Sequence, residues 1–136
     1  MAKMVKVGMA DLNICHSPDA ITTLGLGSCV GVALYDKNTK TAGLVHVMLP
    51  DSTKVRQNQN RAKFADTGID YLIELLEKEG AKKSSLTAKI AGGAQMFAFS
   101  SSNDMLRVGE RNVEAVKDKL KKLGIRVLAE DTGLNY

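Results

Sequence analysis

The apolar period shifts partway along this chain, and that change restricts the fold more than any other feature. In the first third, apolar residues alternate or run in short β-branched stretches. From residue 69 onward, stretches at helical spacing alternate with short strand-like runs. Residues 4–9 read as a strand with Val5, Val7 and Met9 on one face, followed by a loop through Ser17-Pro18-Asp19. Residues 29–35 (Cys-Val-Gly-Val-Ala-Leu-Tyr) read as a second strand, Asp36-Lys37-Asn38 as a turn, and residues 42–49 as a return strand stopped by Pro50. Together they form an expected antiparallel hairpin. Residues 51–60 are polar and aperiodic, the signature of a loop. Ile69, Leu72, Ile73 and Leu76 then make one helical stripe, with Asp66 or Thr67 near the N-cap and Gly80 past the end. Residues 87–91 form a strand running into Gly92-Gly93. A second helix after Gly109 turns Val113, Val116, Leu120 and Leu123 inward and stops at Gly124, and residues 125–129 make the last strand. Strands first, then helix–strand alternation, define an α/β or α+β chain with helices packed on sheet.

Length and composition bound the class. The chain has 136 residues, of which 44% are hydrophobic, enough for the core of a single domain spanning 1–136. With 25% charged residues and two prolines, it is not a disordered sequence. No apolar run approaches the roughly 20 residues of a membrane helix, so no membrane insertion is expected. The N-terminal residues lack the apolar block of a secretory signal, and two cysteines without such a signal do not suggest a disulfide framework. The expected location is cytoplasmic. Net charge is +4, with lysines gathered at 82–83 and 117–122. Three Tyr, three Phe and no Trp offer little for stacking bases, so a solvated helix face or a mild attraction to acidic protein surfaces explains the lysines better than nucleic acid does.

The chemistry concentrates in Thr23-Leu24-Gly25-Leu26-Gly27-Ser28-Cys29-Val30-Gly31. Three glycines around a cysteine permit tight turns and bring main-chain N–H donors close to a reacting group. A dinucleotide loop is excluded because Val30 breaks the glycine pattern and the next element is a strand, where the pyrophosphate needs a helix N-terminus. The hydrolase nucleophile elbow fails for the same reason, since it sits on a strand-to-helix turn. A cysteine nucleophile with a histidine base remains. His46 lies seventeen residues after Cys29 on the return strand, where a hairpin can bring both to one end of the sheet. A neighbouring imidazolium lowers a thiol from about 8.5 to roughly 3.5–7.5. A buried structural cysteine and a hydrogen-bonded strand histidine fit the same spacing. Cys15 and His16 complete a set of two Cys and two His, but neither C-x-x-C nor H-x-x-x-H is present, so no metal is expected and Cys15 reads as a small buried apolar residue.

Six blocks in order, at 23–30, 46–52, 63–67, 89–97, 109–113 and 128–133, resemble the chemoreceptor glutamine deamidase family CheD. The resemblance implies a layered α/β sandwich with a mostly antiparallel sheet and at least two packed helices. It implies a catalytic triad of Cys29, His46 and Thr23 acting without cofactor on glutamine side chains of methyl-accepting chemotaxis receptors, releasing ammonia. Backbone N–H groups around Gly25, Gly27, Ser28 and Val30 are the expected oxyanion donors. Gly92, Gly93, Gln95 and Phe97 are the expected rim for substrate or partner. The family also implies association with the phosphatase CheC, with a non-catalytic CheC-binding module as the alternative function and a monomer when alone. Family members usually continue past Asp131-Thr132-Gly133 into further strands, so this chain is expected to lack them.

Overall fold

The structure is a computed structural model that describes residues 2–54, 59–94 and 108–133. Its strands are β1 (Met4–Val7), β2 (Leu12–His16), β3 (Ala20–Thr23), β4 (Val30–Asp36), β5 (Thr41–Val47), β6 (Leu86–Gly92) and β7 (Arg126–Thr132). The helices are α1 (Ala65–Lys78) and α2 (Val108–Leu123). Five strands form one sheet in the order β2-β5-β4-β6-β7, antiparallel except for the β6–β7 pair. β1 and β3 form a separate parallel pair. The layered α/β class expected from the sequence is the observed one.

Period-2 alternation divides the five-stranded sheet into two working faces. Val30, Val32 and Leu34 of β4 and Val45 and Val47 of β5 join the helical stripes Ile69, Leu72, Ile73, Leu76 and Val113, Val116, Leu120 in one core. Gly68 lets α1 settle on β5, since a Cβ there would stand 3.2 Å from Val45 Cγ2 and 3.3 Å from Val47 Cγ1. The intervening residues, Gly31 and His46, therefore face the opposite side, where the β1–β3 pair lies. His46 is fully buried there.

The expected β4–β5 hairpin is present, with Gly31 opposite His46 and Val30 opposite Val47. Its return strand ends at Val47 rather than 49, because the Met48 and Leu49 N–H groups both turn to the Lys63 carbonyl at 2.7 and 3.1 Å. Two strands went unread in the sequence, β2 and β3, which flank the Ser17–Asp19 turn. The α1 N-cap also differs. Phe64 occupies it in an extended conformation without a side-chain cap. Asp66 instead accepts from the Ser52 hydroxyl at 2.8 Å, and Thr67 donates to the Arg61 carbonyl at 2.7 Å, so both side chains secure the preceding loop. Residues 55–58 of the expected 51–60 loop lie outside the described residues; Ser52–Lys54 forms a single 3₁₀ turn. The α2 lysines are not merely solvated: Lys117 pairs with Glu130 of β7 and Lys119 with Asp70 of α1.

Candidate active site

Cys29 is the last residue of a tight loop that enters β4. Gly25 and Gly27 both take left-handed backbone conformations (φ 66° and 50°), and the Cys29 N–H closes the turn onto the Leu26 carbonyl at 2.7 Å. The end of β6 braces the loop from behind: Gly93 N–H donates to the Cys29 carbonyl and Ala94 N–H to the Gly27 carbonyl, both at 2.8 Å. Gly92 is required at this contact, because a Cβ there would lie 2.2 Å from the Cys29 carbonyl oxygen.

The β4–β5 register relates Cys29 to His46. Gly31 pairs with His46 and Val30 with Val47. Val30–Val47 is the last rung, so Cys29 lies one residue beyond it and His46 one rung inside it, both at the same end of the sheet. Gly31 stands opposite His46, with Leu26 and the Thr23 methyl packed over it. A Cβ at Gly31 would meet Leu26 at 3.4 Å and the Thr23 methyl at 3.5 Å.

Thr23 Oγ1 lies 2.8 Å from His46 Nδ1 and 2.7 Å from the Val7 carbonyl oxygen. A hydroxyl has one proton, and a carbonyl can only accept. The Thr23 O–H therefore donates to Val7, and its lone pair accepts from His46 Nδ1–H. This fixes the neutral imidazole as the Nδ1–H tautomer and leaves the basic lone pair on Nε2. That nitrogen is buried and has no hydrogen-bond partner among the described residues. The β1–β3 pair thus sets the tautomer, since Val7 and Thr23 are register partners.

Burial pushes the Cys29 thiol above its ordinary value and His46 below its own. The low-pKa thiolate expected from an adjacent imidazolium is not the resting state these surroundings favour. They favour a neutral thiol beside a neutral imidazole. Among the described residues, no group of three His, Cys, Asp or Glu side chains could hold a metal ion. Cys15 is buried on β2, with its thiol directed to the Asp19 carbonyl at 3.7 Å.

The family model described as CheD chemotactic sensory transduction matches residues 48–136. A relative from Lachnoclostridium phytofermentans, named probable chemoreceptor glutamine deamidase CheD, is 71% identical over the whole of this chain and 84% of its own length. Chemoreceptor glutamine deamidases CheD from Halalkalibacterium halodurans and Bacillus subtilis are 60% and 53% identical over 98% and 97% of this chain, and 83% and 80% of theirs. The chain belongs to the CheD family. The family-model match begins after Thr23, Cys29 and His46, but the three relatives extend across all of them. No described helix of this CheD chain is long and apolar enough to cross a membrane.

The remaining expected site residues in the CheD chain divide. Ser28 lies in the Cys29 loop, whereas Val30 is already the first residue of β4, fully buried and paired with Val47 and Gly92. Gly92 and Gly93 are buried behind the Cys29 loop, where their missing side chains admit the Cys29 carbonyl and Val113. Gln95 and Phe97, expected with them at a rim, lie outside the described residues. One residue was missed altogether. Asn112 of α2 is fully buried and donates from Nδ2 to the Ser28 and Met48 carbonyls, each at 2.9 Å. Its sequence signals are its place in the 109–113 block and a polar residue beside the inward-facing Val113.

Proposed function

We propose that this chain hydrolyses the carboxamide of selected glutamine side chains on chemoreceptors to glutamate and ammonia, with Cys29 as nucleophile, His46 as base and Thr23 as the group that orients the base. The observation that carries this reading is the Val7–Thr23–His46 hydrogen-bond chain, which frees the Nε2 lone pair at the end of the sheet where Cys29 enters β4. The names of the relatives supply the substrate class.

In the reaction, His46 Nε2 takes the Cys29 proton as the sulfur attacks the carboxamide carbon. The oxyanion of the tetrahedral intermediate needs N–H donors, each worth roughly a 100- to 1,000-fold rate factor. The Cys29 N–H is committed to Leu26, so the N–H groups of Gly27 and Ser28 are the proposed donors, held by the two left-handed glycines. The imidazolium gives its proton to the departing amine, ammonia leaves, and a thioester remains. Water, deprotonated by His46, then hydrolyses the thioester and restores the thiol. No metal or organic cofactor enters this balance.

The reading carries a cytoplasmic location, a monomer when alone, and the association with CheC that the family resemblance implies. Its test is the intact mass of a glutamine-bearing receptor fragment incubated with the protein. A gain of about one mass unit per site, with a new negative charge at neutral pH and ammonia released in equal amount, supports it. An unchanged fragment in stable complex with the protein would leave a binding module instead.

A further inference from the structure

We infer that Asn112 is a positioning residue for the Cys29–His46 pair: one side-chain amide holds the backbone beside the nucleophile to the backbone beside the base. The inference rests on the proposed roles of those two residues. The Asn112 Nδ2 atom donates to Ser28, directly before Cys29, and to Met48, two residues after His46. Val30–Val47 is the last rung of the β4–β5 ladder. Beyond it the strands part, because the Cys29 N–H turns back to Leu26 and the Met48 N–H turns away to Lys63. Among the described residues, Asn112 is the donor to the Ser28 and Met48 carbonyls that face this gap. Asn112 fills it and sets how far the strands diverge.

The amide can take only one orientation. Turned over, it would set Oδ1 against two carbonyl oxygens, so Oδ1 faces away, buried and without a partner among the described residues. Few other side chains could do the same. Ser and Thr bring a single donor, ionised Asp brings none, and Gln carries an extra methylene into a fully buried site. The backbone that delivers Asn112 is closely seated. A Cβ on Gly109 would lie 2.3 Å from the Ala94 carbonyl oxygen, and one on Gly93 would lie 2.2 Å from Val113 Cγ2. The first turn of α2 thus rests on the same β6 end that braces the Cys29 loop.

Asn112→Leu keeps the volume and removes both donors. Val116→Ala, one turn further along α2 in the core, serves as a control that loses stability without touching the gap. Two readouts are followed: kcat and KM for receptor-fragment deamidation, and the pH profile of Cys29 alkylation by iodoacetamide in the isolated chain. Asn112→Leu is expected to lower kcat about 10- to 100-fold with KM little changed, since a displacement near 1 Å costs on the order of 100-fold. It is also expected to erase the step in the alkylation profile where His46 loses its proton. Val116→Ala is expected to keep both. An Asn112→Leu protein with kcat within threefold and the step intact would overturn the inference, as would equal losses in Val116→Ala. Should Asn112→Leu fail to fold, Asn112→Ser carries the test with its single donor: an intermediate loss supports the role and wild-type values overturn it. A wild-type profile without the His46 step would remove the pair that Asn112 is said to align. If the wild type deamidates nothing, the functional reading fails, while the alkylation profiles still decide the role of Asn112.

Discussion

Replacing Thr23 by Val tests the chain of reasoning at its narrowest point. Valine matches threonine in shape but offers His46 Nδ1 no acceptor and the Val7 carbonyl no donor, so it deletes the 2.7 and 2.8 Å hydrogen bonds together. In the resting enzyme the Nδ1 bond joins neutral groups and contributes about 0.5–1.5 kcal/mol. In the transition state His46 is an imidazolium and the same bond is charge-assisted, worth about 1.5–3 kcal/mol. Only the difference, about 1–1.5 kcal/mol, slows the chemical step, by roughly 5- to 13-fold at about 1.36 kcal/mol per factor of ten. Loss of the tautomer preference adds to it, because a ring protonated on Nε2 cannot accept the thiol proton. Thr23→Ser retains the hydroxyl and should stay within about threefold of the wild type. The assay is single-turnover ammonia release from a glutamine-bearing receptor fragment, with thermal melting to confirm folding. A folded Thr23→Val protein within twofold of wild type, or a serine variant as slow as the valine one, would refute the tautomer argument.

The remaining predictions address the nucleophile, its brace and its proton. Cys29→Ala should abolish deamidation while the melting transition persists, and ammonia release from that variant would remove the thiol mechanism. Cys29 should alkylate faster than Cys15 although the two are almost equally buried, at 7% and 6% exposure, because His46 at its end of the sheet keeps an unengaged Nε2, whereas both ring nitrogens of His16, beside Cys15, are hydrogen-bonded; mass mapping after partial iodoacetamide labelling decides this. Gly92→Ala would force a Cβ to within 2.2 Å of the Cys29 carbonyl at a φ of +105°, so it should cost on the order of 1–3 kcal/mol of stability and lower activity; a wild-type melting curve would contradict the brace. The pKa of His46 is depressed by burial, so its stabilising contribution is fully present above an ordinary imidazole value of about 6.5 and is lost as pH falls through the lower folded value. A melting temperature that falls on acidification below that point in wild type, and falls less in His46→Gln, is the expected result.

The parts of the fold that were legible in the sequence are those whose pattern is local. The β4–β5 hairpin follows from a β-branched run, an Asp-Lys-Asn turn and a return strand of the same character. The helices follow from stripes in which Ile69, Leu72, Ile73 and Leu76, and then Val113, Val116 and Leu120, all proved buried. Strands β2 and β3 were illegible because only Cys15 among their nine residues is buried, so neither shows a run of alternating core positions. The β1–β3 pairing joins segments separated by an intervening strand, and nothing in either segment announces it. The same distinction holds at the site. Cys29 and His46 could be singled out from residue type and spacing, whereas Thr23 was reachable only through family resemblance. Its role depends on a tertiary contact with Val7. Asn112 depends on two such contacts, 84 and 64 residues away in sequence, and its helix spacing resembles that of any partly polar position.

A neutral orienting residue has consequences that a carboxylate would not. An aspartate beside Nδ1 would favour the imidazolium and raise the pKa of His46. Threonine, fixed as an acceptor by the Val7 carbonyl, supplies direction without charge, and burial then holds His46 unprotonated through the neutral range. The cost is that the imidazolium formed during reaction is stabilised less than it would be by a carboxylate. The gain is a base already in its accepting form and a Cys29 that rests as a thiol, the form least prone to stray alkylation and oxidation. On the proposed mechanism, an approaching carboxamide and its oxyanion donors then favour transfer of the proton to Nε2. Ultraviolet absorbance of a thiolate should therefore be absent from the free protein at neutral pH.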